Sequence, residues 1–501
     1  MSKEKIDVLF INPGSLKAIY QDLGNEFSAI ETPSLAALFA TYVRKKGASV
    51  AIIDAPALNL DPSGVAQYIE ENYDPTLIVM VVYGFQPSAS TQNMAAAGET
   101  CQEIKQCNSN YKILMTGTHI AALPKQTMQE EKVDFVCSLE GPQTIWGVFE
   151  ILKAKGNDFS EVPSLWYREK DQLVSTPDGP LIENLSEVMP GAAWDLLPMD
   201  KYRAHNWHCF EHIHDRKPYA SIHTSLGCPY RCTFCCINAP FGKSSYRLWD
   251  PEVVVKEIDI LVNKYGIKNI KFVDEMFVLN PKHVNALCDL LIERDYGLNI
   301  WAYARVDTVR DSFLEKLSKA GIRWLALGIE SGSKHVRNGV EKGRFGSEDI
   351  LRVVKNIQNA GMNVIGNYIF GLPDDTFESM QETLDLALEA NCEFANFYCA
   401  MAYPGSKLYT MALENHWELP DSWIGYSQHA YNSQPLRTEK LTAAEVVEFR
   451  DNAFHTYFNH PQYLDLVRRK FGQEVVDHLK EMNKIKLRRK IVEEAKQHVY
   501  S

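Results

Sequence analysis

Short apolar segments alternate with helical segments along most of the chain, in two separate series. The first series predicts strands at residues 7–11, 49–53, 76–82, 112–116 and 133–137. The second predicts strands at residues 219–224, 268–273, 298–305, 324–330, 363–370 and 394–401. Strands that alternate with helices pair in parallel, because each helix carries the chain back across the sheet. The pattern therefore predicts two parallel-sheet domains, and 501 residues are too many for one core.

The first series predicts a doubly wound α/β domain at residues 1–152, whose ligands lie beyond the carboxyl ends of the strands. No GxGxxG loop follows its first strand and the chain has no Walker-type loop, so the usual signatures of dinucleotide and NTP binding are missing. Small and polar residues at the strand ends are the candidate ligand contacts. They are Asn12, Ser88, Ser90, Gly117, Thr118, His119, Glu140 and Gly141.

Three further regions follow the first domain. Residues 153–217 are irregular and rich in proline, and they predict a linker that contains a hairpin at residues 164–176. Residues 218–410 contain the second series of strands. The polar remainder, 411–501, predicts a helical C-terminal domain that caps the second sheet.

Three cysteines, Cys228, Cys232 and Cys235, have CxxxCxxC spacing on a loop that follows the predicted strand at 219–224. Thiolates suit iron–sulfur clusters and zinc. Structural zinc normally takes four protein ligands, and no fourth Cys or His follows at finger-like spacing. A cubane cluster has four irons, so three thiolates leave one iron open to an outside ligand. Cys236 is adjacent to Cys235 and points away from it, so we do not count it as a ligand.

This spacing, with Phe234 before the third cysteine and an α/β domain upstream, resembles the cobalamin-binding radical S-adenosylmethionine (SAM) family. In that family SAM chelates the open iron, and its reductive cleavage yields methionine and a 5′-deoxyadenosyl radical. The resemblance implies a Rossmann-like cobalamin-binding domain, a partial (β/α)6 barrel and a C-terminal helical cap. It implies three cofactors: a 4Fe-4S cluster, SAM, and cobalamin in its methylcobalamin form.

The resemblance also assigns SAM contacts to the carboxyl ends of the barrel strands. They are Phe234, Asp274, Glu275, Arg305, Glu330, Ser331, Asn367 and Tyr403. By resemblance Glu275 engages the SAM amino group and Glu330 accepts hydrogen bonds from the ribose hydroxyls. Arg305 pairs with the SAM carboxylate or with Glu330. The chain departs from the family pattern here, because the glycines of the Gly-Gly-Glu-like element are absent beside Glu275.

Cobalamin ligation departs from the common pattern as well. Most such domains carry an Asp-x-His-x-x-Gly loop whose histidine ligates cobalt, but His119 is the first histidine of this chain. The loop after the first strand therefore supplies no ligand to cobalt. A contact of His119 with the corrin edge or the nucleotide tail is favoured over ligation.

The leading hypothesis is a methyltransferase that moves a methyl group to an unactivated carbon after hydrogen abstraction by the 5′-deoxyadenosyl radical. The alternatives are an oxidative cyclase similar to the anaerobic magnesium-protoporphyrin monomethyl ester cyclases, a methylthiotransferase, and a tetrapyrrole sensor without turnover. The net charge of −12 disfavours a nucleic-acid partner. We expect a small-molecule substrate and an electron donor such as flavodoxin or ferredoxin. Eleven cysteines without disulfide-module spacing favour the cytoplasm, and no apolar run approaches a membrane span.

Overall fold

The computed structural model describes residues 3–14, 16–83, 87–343 and 345–500. The strands are β1 (Glu4–Asn12), β2 (Val50–Asp54), β3 (Tyr73–Val82), β4 (Ile113–Gly117), β5 (Phe135–Cys137), β6 (Leu165–Glu169), β7 (Gln172–Ser175), β8 (Tyr219–Ile222), β9 (Ser225–Leu226), β10 (Arg247–Leu248), β11 (Asn269–Phe272), β12 (Asn299–Arg305), β13 (Ile322–Glu330), β14 (Asn363–Phe370) and β15 (Phe394–Cys399).

The helices are α1 (Leu16–Tyr20), α2 (Leu23–Glu26), α3 (Ser34–Lys45), α4 (Ala55–Leu58), α5 (Pro62–Asn72), α6 (Pro87–Cys107), α7 (Thr118–Ala122), α8 (Pro124–Glu130), α9 (Pro142–Lys153), α10 (Leu185–Val188), α11 (Pro251–Tyr265), α12 (Pro281–Arg294), α13 (Asp311–Lys319), α14 (Lys334–Gly339), α15 (Ser347–Asn359), α16 (Phe377–Ala390), α17 (Lys407–Glu414), α18 (Ala443–Asn459), α19 (Pro461–Phe471), α20 (Gln473–Lys484) and α21 (Lys490–Tyr500). None of the described helices combines the length and the apolar run that a membrane span needs.

The first sheet has the strand order β2-β1-β3-β4-β5-β6-β7, and β1 to β5 are parallel. Strands 2-1-3-4-5 form a doubly wound sheet with its switch point between β1 and β3. The predicted doubly wound domain is confirmed. The predicted hairpin is present as β6 and β7, and it extends this sheet, because β6 pairs antiparallel with β5.

Helices cover both faces of the first sheet. Val8 and Phe10 of β1 pack in the same core as residues of α3 and α9, whereas Leu9 and Ile11 pack in a second core with residues of α5 and α6. Successive side chains of a strand point to opposite faces, so a strand that is covered on both faces must be apolar at every position. This explains the uninterrupted apolar runs in the first half of the sequence.

The second sheet is an open, parallel half-barrel with the order β15-β14-β13-β12-β11-β8. Its six strands confirm the predicted partial (β/α)6 barrel. Functional residues of such barrels lie at the carboxyl ends of the strands. The short antiparallel pair of β9 and β10 lies beside the loop with the three cysteines.

The C-terminal helices lie along the edge strand β15. The hydroxyl of Tyr457 in α18 donates to the carbonyl of Cys392 at 2.6 Å, and that of Tyr463 in α19 donates to the carbonyl of Glu393 at 3.2 Å. Both carbonyls precede β15, so these helices cover the open edge of the half-barrel at the amino end of its last strand.

Candidate active site

The cysteine loop begins directly after β9, and the side chain of Asn238 holds its first cysteine. The amide of Cys228 donates to Oδ1 of Asn238 at 3.2 Å, and Nδ2 of Asn238 donates back to the carbonyl of Cys228 at 2.9 Å. Gly227 has φ +88°, and a Cβ there would lie 2.7 Å from the carbonyl oxygen of Ser245. Only glycine fits this approach, which fixes the start of the loop.

The three thiols lie close enough to influence one another. Burial raises the pKa of Cys228 to about 11, and the nearby charges of Glu275 and Cys232 raise it further. Burial also raises the pKa of Cys235 well above its usual range. Such thiols ionise only beside strong positive charge, which the irons of a cluster supply. Among the described residues, no three His, Cys, Asp or Glu side chains are placed as ligands of one metal ion. A cubane does not need that convergence, since each thiolate binds a different iron.

Asp274 binds Thr224 and Ser225, the two residues that lead into the cysteine loop. It is fully buried, and its carboxylate accepts from the amide of Thr224 at 2.7 Å, from the hydroxyl of Thr224 at 2.5 Å and from that of Ser225 at 2.7 Å. These donors occupy both carboxylate oxygens. The structure therefore gives Asp274 a role in positioning the loop, and its predicted contact with SAM stays a prediction.

One carboxylate oxygen of Glu275 has no hydrogen-bond donor in the part of the chain that the structure describes. Its Oε2 is buried and lacks a hydrogen-bond partner among the described residues. Burial raises the pKa of Glu275 to about 7, and the adjacent charge of Asp274 contributes. A buried acceptor without a donor is costly, so this oxygen fits a cationic ligand group such as the ammonium of SAM.

Glu330 ends β13 with φ +70°, a strained conformation for a residue with a side chain. Its carboxylate forms an ion pair with Lys342 at 2.6 Å, and both side chains are only 8% exposed. Lys342 escaped the sequence analysis, because it follows a helix rather than a strand and nothing local marks it. The Glu330–Lys342 pair lies beside the cysteine loop, because the charges of Cys232 and Arg305 both act on Lys342.

Arg305 pairs with Asp307 and not with Glu330, which corrects one of our two predicted pairings. Nε and Nη2 of Arg305 each donate to one oxygen of Asp307 at 2.9 Å. Nη2 also donates to the carbonyl of Lys342, and Nη1 lies 3.4 Å from Sγ of Cys232. Arg305 therefore places its charge beside Cys232, one of the three predicted cluster ligands.

The other predicted SAM contacts are spread around the barrel mouth. The hydroxyl of Ser331 lies 3.2 Å from that of Thr383, and Oδ1 of Asn367 accepts from Nδ2 of Asn396 at 3.0 Å. Phe234 and Tyr403 complete the set: Phe234 packs in two apolar clusters at the mouth, and the hydroxyl of Tyr403 accepts from Nε2 of Gln428 at 3.0 Å. Each SAM contact at these residues stays a prediction.

The predicted cobalamin face is formed by the carboxyl ends of β1, β3 and β4. Nδ2 of Asn12 donates to Asp54 at 2.9 Å, and burial raises the pKa of Asp54 to about 6. The hydroxyl of Ser90 donates to the carbonyl of Val82 at 2.5 Å and accepts from the amide of His119 at 2.9 Å. Asp54 and Ser90 therefore orient Asn12 at the end of β1 and His119 at the end of β4, on either side of β3.

His119 is buried, and its ring centroid lies 4.4 Å from that of Trp423. Burial lowers the pKa of His119 to about 3, so the ring is neutral. The segment Trp423–Tyr426, a short 3₁₀ helix of the C-terminal region, thus packs against the cobalamin-binding side.

The remaining predicted cobalamin contacts fall into two groups. Gly117, Thr118 and Gly141 lie at the ends of β4 and β5, where Thr118 is buried and a Cβ at Gly117 would collide with the carbonyl of Val82. Glu140 instead bridges the two domains, through an ion pair with Arg247 at 2.7 Å. The side chain of Ser88 lies outside the described residues.

A cavity of about 300 Å³ lies between the two domains. It extends from the switch point of the first sheet into the half-barrel, and its walls include the aromatic residues Tyr20, Trp207, Trp301, Tyr303, Phe397 and Tyr398. Lys271 of β11 and Glu31 of the first domain form an ion pair across it at 2.9 Å. Glu275 and Glu330 do not line the cavity, but their charges act on Tyr303 and Tyr398 in its walls, so these two acids of the predicted SAM site lie near it.

Residues 222–387 match the radical SAM superfamily, and residues 21–148 match the B12 binding domain. The chain therefore contains a radical SAM domain. It also carries a B12-binding domain, so the family and the cofactors predicted from the sequence are confirmed.

The relatives include an uncharacterized methyltransferase of Pyrococcus horikoshii, which is 29% identical over 91% of this chain and 93% of its own length. The anaerobic magnesium-protoporphyrin IX monomethyl ester cyclase of Rubrivivax gelatinosus is 26% identical over 93% of this chain and 80% of its own. Among solved structures, the radical SAM methyltransferase TsrM of Kitasatospora setae, with cobalamin and a 4Fe-4S cluster bound, matches with a TM-score of 0.67. That match covers 91% of this chain and 89% of TsrM at 16% identity, and it confirms the predicted fold.

Proposed function

We propose that this radical SAM enzyme is a cobalamin-dependent methyltransferase that acts on an unactivated carbon of a small molecule bound in the interdomain cavity. The cavity is the observation that carries the proposal. It adjoins the β1/β3 switch point on one side, and on the other side its wall residues Tyr303 and Tyr398 lie within the electrostatic influence of Glu275 and Glu330. A substrate there would lie between cobalt and the cluster, as a reaction that uses both cofactors requires.

When bound, the cluster and SAM supply a carbon radical, and cobalamin supplies the methyl group. The chain supplies placement. Cys228, Cys232 and Cys235 would hold three irons, and the free oxygen of Glu275 would receive the SAM ammonium. Glu330 would accept hydrogen bonds from the ribose while Lys342 balances its charge. The aromatic walls of the cavity exclude water and other radical quenchers.

Methyl transfer is favoured over the oxidative cyclase reaction. The relative with both the higher identity and the fuller mutual coverage is a methyltransferase, and so is the similar structure TsrM. The volume of about 300 Å³ is also at the low end for ligand sites, which favours a substrate smaller than a magnesium porphyrin. Methylthiotransferase and sensor functions have no support among these relatives.

Electron supply, compartment and other partners belong to this proposal as well. Reduction of the cluster requires a one-electron donor such as flavodoxin or ferredoxin. An oxygen-sensitive cluster and unpaired cysteines fit the reducing cytoplasm. The net charge of −12 supports a small-molecule substrate over a nucleic acid.

The test is anaerobic reconstitution followed by labelled SAM. The protein should hold about four irons and four sulfides per chain and retain corrin absorbance after desalting. Cys232→Ala should abolish SAM cleavage, whereas Cys236→Ala, at the buried neighbour of the third ligand, should preserve it. Methyl label recovered in a product of a cell-extract metabolite pool supports methyl transfer. Label recovered only in methionine, or a protein without corrin bands, refutes it.

A further inference from the structure

Three chain segments meet at Gly405, in the loop that follows β15. Gly405 has φ +89°. A Cβ at this position would lie 2.8 Å from Cβ of Ala239, 3.0 Å from Cβ of Ala122 and 3.6 Å from Cβ of Cys236. The first two distances are shorter than carbon atoms in contact adopt. Any side chain at Gly405 must therefore push its neighbours apart.

The residues around Gly405 come from the regions of two different cofactors, the cobalamin-binding domain and the cysteine loop. Ala122 ends α7, the five-residue helix that starts directly after β4 and contains His119. Cys236 and Ala239 follow the third cluster cysteine, Cys235, within four positions. Gly405 thus separates the cobalamin-binding side from the cluster loop by the thickness of one backbone.

We call the place where Gly405 lies between Ala122 and Ala239 the junction, and further contacts hold it on both sides. The amide of Leu408 donates to the carbonyl of Thr233, inside the cysteine loop, at 2.8 Å. On the other side, Trp423 packs on His119 at 4.4 Å, and the ring of Tyr426 lies 5.9 Å from that of Trp423. The chain around Gly405 is therefore fastened to the cluster loop and packed against the cobalamin-binding domain at once.

We propose that Gly405 is a positioning residue whose missing side chain sets the distance between the cobalamin-binding domain and the iron–sulfur cluster. The catalytic consequence rests on the proposed function. Transfer of the methyl cation of SAM to reduced cobalamin leaves S-adenosylhomocysteine and needs both domains in register. One-electron cleavage of SAM at the cluster leaves methionine and, after hydrogen abstraction, 5′-deoxyadenosine, and needs only the barrel. A wider junction should therefore depress the first reaction and spare the second.

Two matched variants isolate the spacing. Gly405→Ala adds one methyl group at the junction. Gly472→Ala is the control, because Gly472 has φ +92° and, apart from its chain neighbours, no atom of the described residues lies within 4 Å of its added Cβ. Both variants place a side chain at a positive φ, which is unfavourable, and only Gly405→Ala adds a clash. Ala122→Gly in the Gly405→Ala background removes the facing methyl group.

The first measurement uses protein without cofactors. Gly405→Ala should lower the Tm more than Gly472→Ala does, and Ala122→Gly should return part of the loss although glycine is unfavourable in a helix. Equal Tm values for the two glycine variants, or no recovery by Ala122→Gly, overturn the proposal. If Gly405→Ala fails to fold, Ala122→Val can replace it, because it adds methyl groups on the other side of the same contact. Ala122→Val should lower the Tm in the same way.

The second measurement uses the reconstituted enzyme and the ratio of S-adenosylhomocysteine to 5′-deoxyadenosine. Misplacement of reacting groups by less than an ångström costs an order of magnitude or more, so Gly405→Ala should lower this ratio by about tenfold. Gly472→Ala should leave it unchanged, and Ala122→Gly should restore it. A parallel fall of both products overturns the spacing role. If the wild-type enzyme forms neither product, the proposed function fails, while the first measurement still decides the junction.

Discussion

Replacing Glu257 by glutamine should make the protein more stable above neutral pH and should remove a pH dependence that the wild type shows. Glu257 lies in α11 and fastens the linker: its Oε1 accepts from the amide of Ala192 at 2.7 Å and from Nε1 of Trp194 at 3.0 Å. The next amide, of Ala193, donates to the carbonyl of Ala37 in α3 at 3.1 Å. Glu257 thus anchors the linker that touches both domains.

The magnitude follows from the pKa. Burial raises the pKa of Glu257 from 4.5 to about 7, against the lowering effect of its two hydrogen bonds. Between these values the folded state keeps a proton that the unfolded state has lost, so stability falls as pH rises. At about 1.4 kcal/mol for each pH unit the wild type loses about 3 kcal/mol by pH 8. Glutamine can accept the same two hydrogen bonds and carries no charge, so it avoids this loss.

Thermal unfolding of cofactor-free protein between pH 5 and pH 8.5 measures the effect. The Tm of Glu257→Gln should differ little from the wild type at pH 5 and exceed it by about 3 °C at pH 8.5, because the unfolding entropy of 501 residues is about 1 kcal/mol/K. Glu315→Gln is the control, because Lys319 lowers the pKa of the exposed Glu315, and its Tm difference should not rise with pH. A Tm difference for Glu257→Gln that is constant or falls with pH would refute the reasoning.

Three further changes test the site. Lys342→Met leaves Glu330 as an uncompensated buried charge, which costs about 3–5 kcal/mol, and should raise the Kd for SAM at least tenfold in equilibrium dialysis. Gly328→Ala places a Cβ 2.5 Å from Nζ of Lys342 and 2.7 Å from Oε1 of Glu330, so it should weaken SAM binding in the same assay. Asp274→Asn replaces an acceptor oxygen that Thr224 uses with a donor, and it should lower the iron retained per chain after desalting.

Specific results would contradict these predictions. Unchanged SAM affinity in Lys342→Met would remove the ion pair from the cofactor site. A stronger effect on iron content than on SAM affinity in that variant would place it with the cluster instead. Full iron retention in Asp274→Asn would show that the loop holds its shape without the carboxylate.

Much of the architecture was predictable, because strand and helix periodicity is a local property. The apolar runs at β1 to β5 require cover on both faces, and that alone implies helices between parallel strands. The cysteine spacing implied an open-iron cluster on a loop between a strand and a helix. The hairpin of β6 and β7 was predicted as well, but not its pairing with β5, since edge pairing depends on where the chain returns.

The finer roles of site residues were not predictable in the same way. Asp274 looked like a ligand contact because it ends a strand at the barrel mouth, but its oxygens are used by Thr224 and Ser225, which lie 50 and 49 positions away. Arg305 looked like a partner of Glu330, but Asp307 lies two positions away and reaches it first. Such choices depend on side-chain direction and burial, which strand order does not specify.

The sequence by itself determined two parallel-sheet domains, a three-cysteine loop and the family, since periodicity and short spacings are written into neighbouring residues. The tertiary structure alone decided that Lys342 neutralises Glu330, that Lys271 meets Glu31 across the cavity, and that Gly405 lies between Ala122 and Ala239. The members of each set are brought together only when the domains pack. Their contacts then depend on distances of a few ångströms, which no periodic pattern encodes.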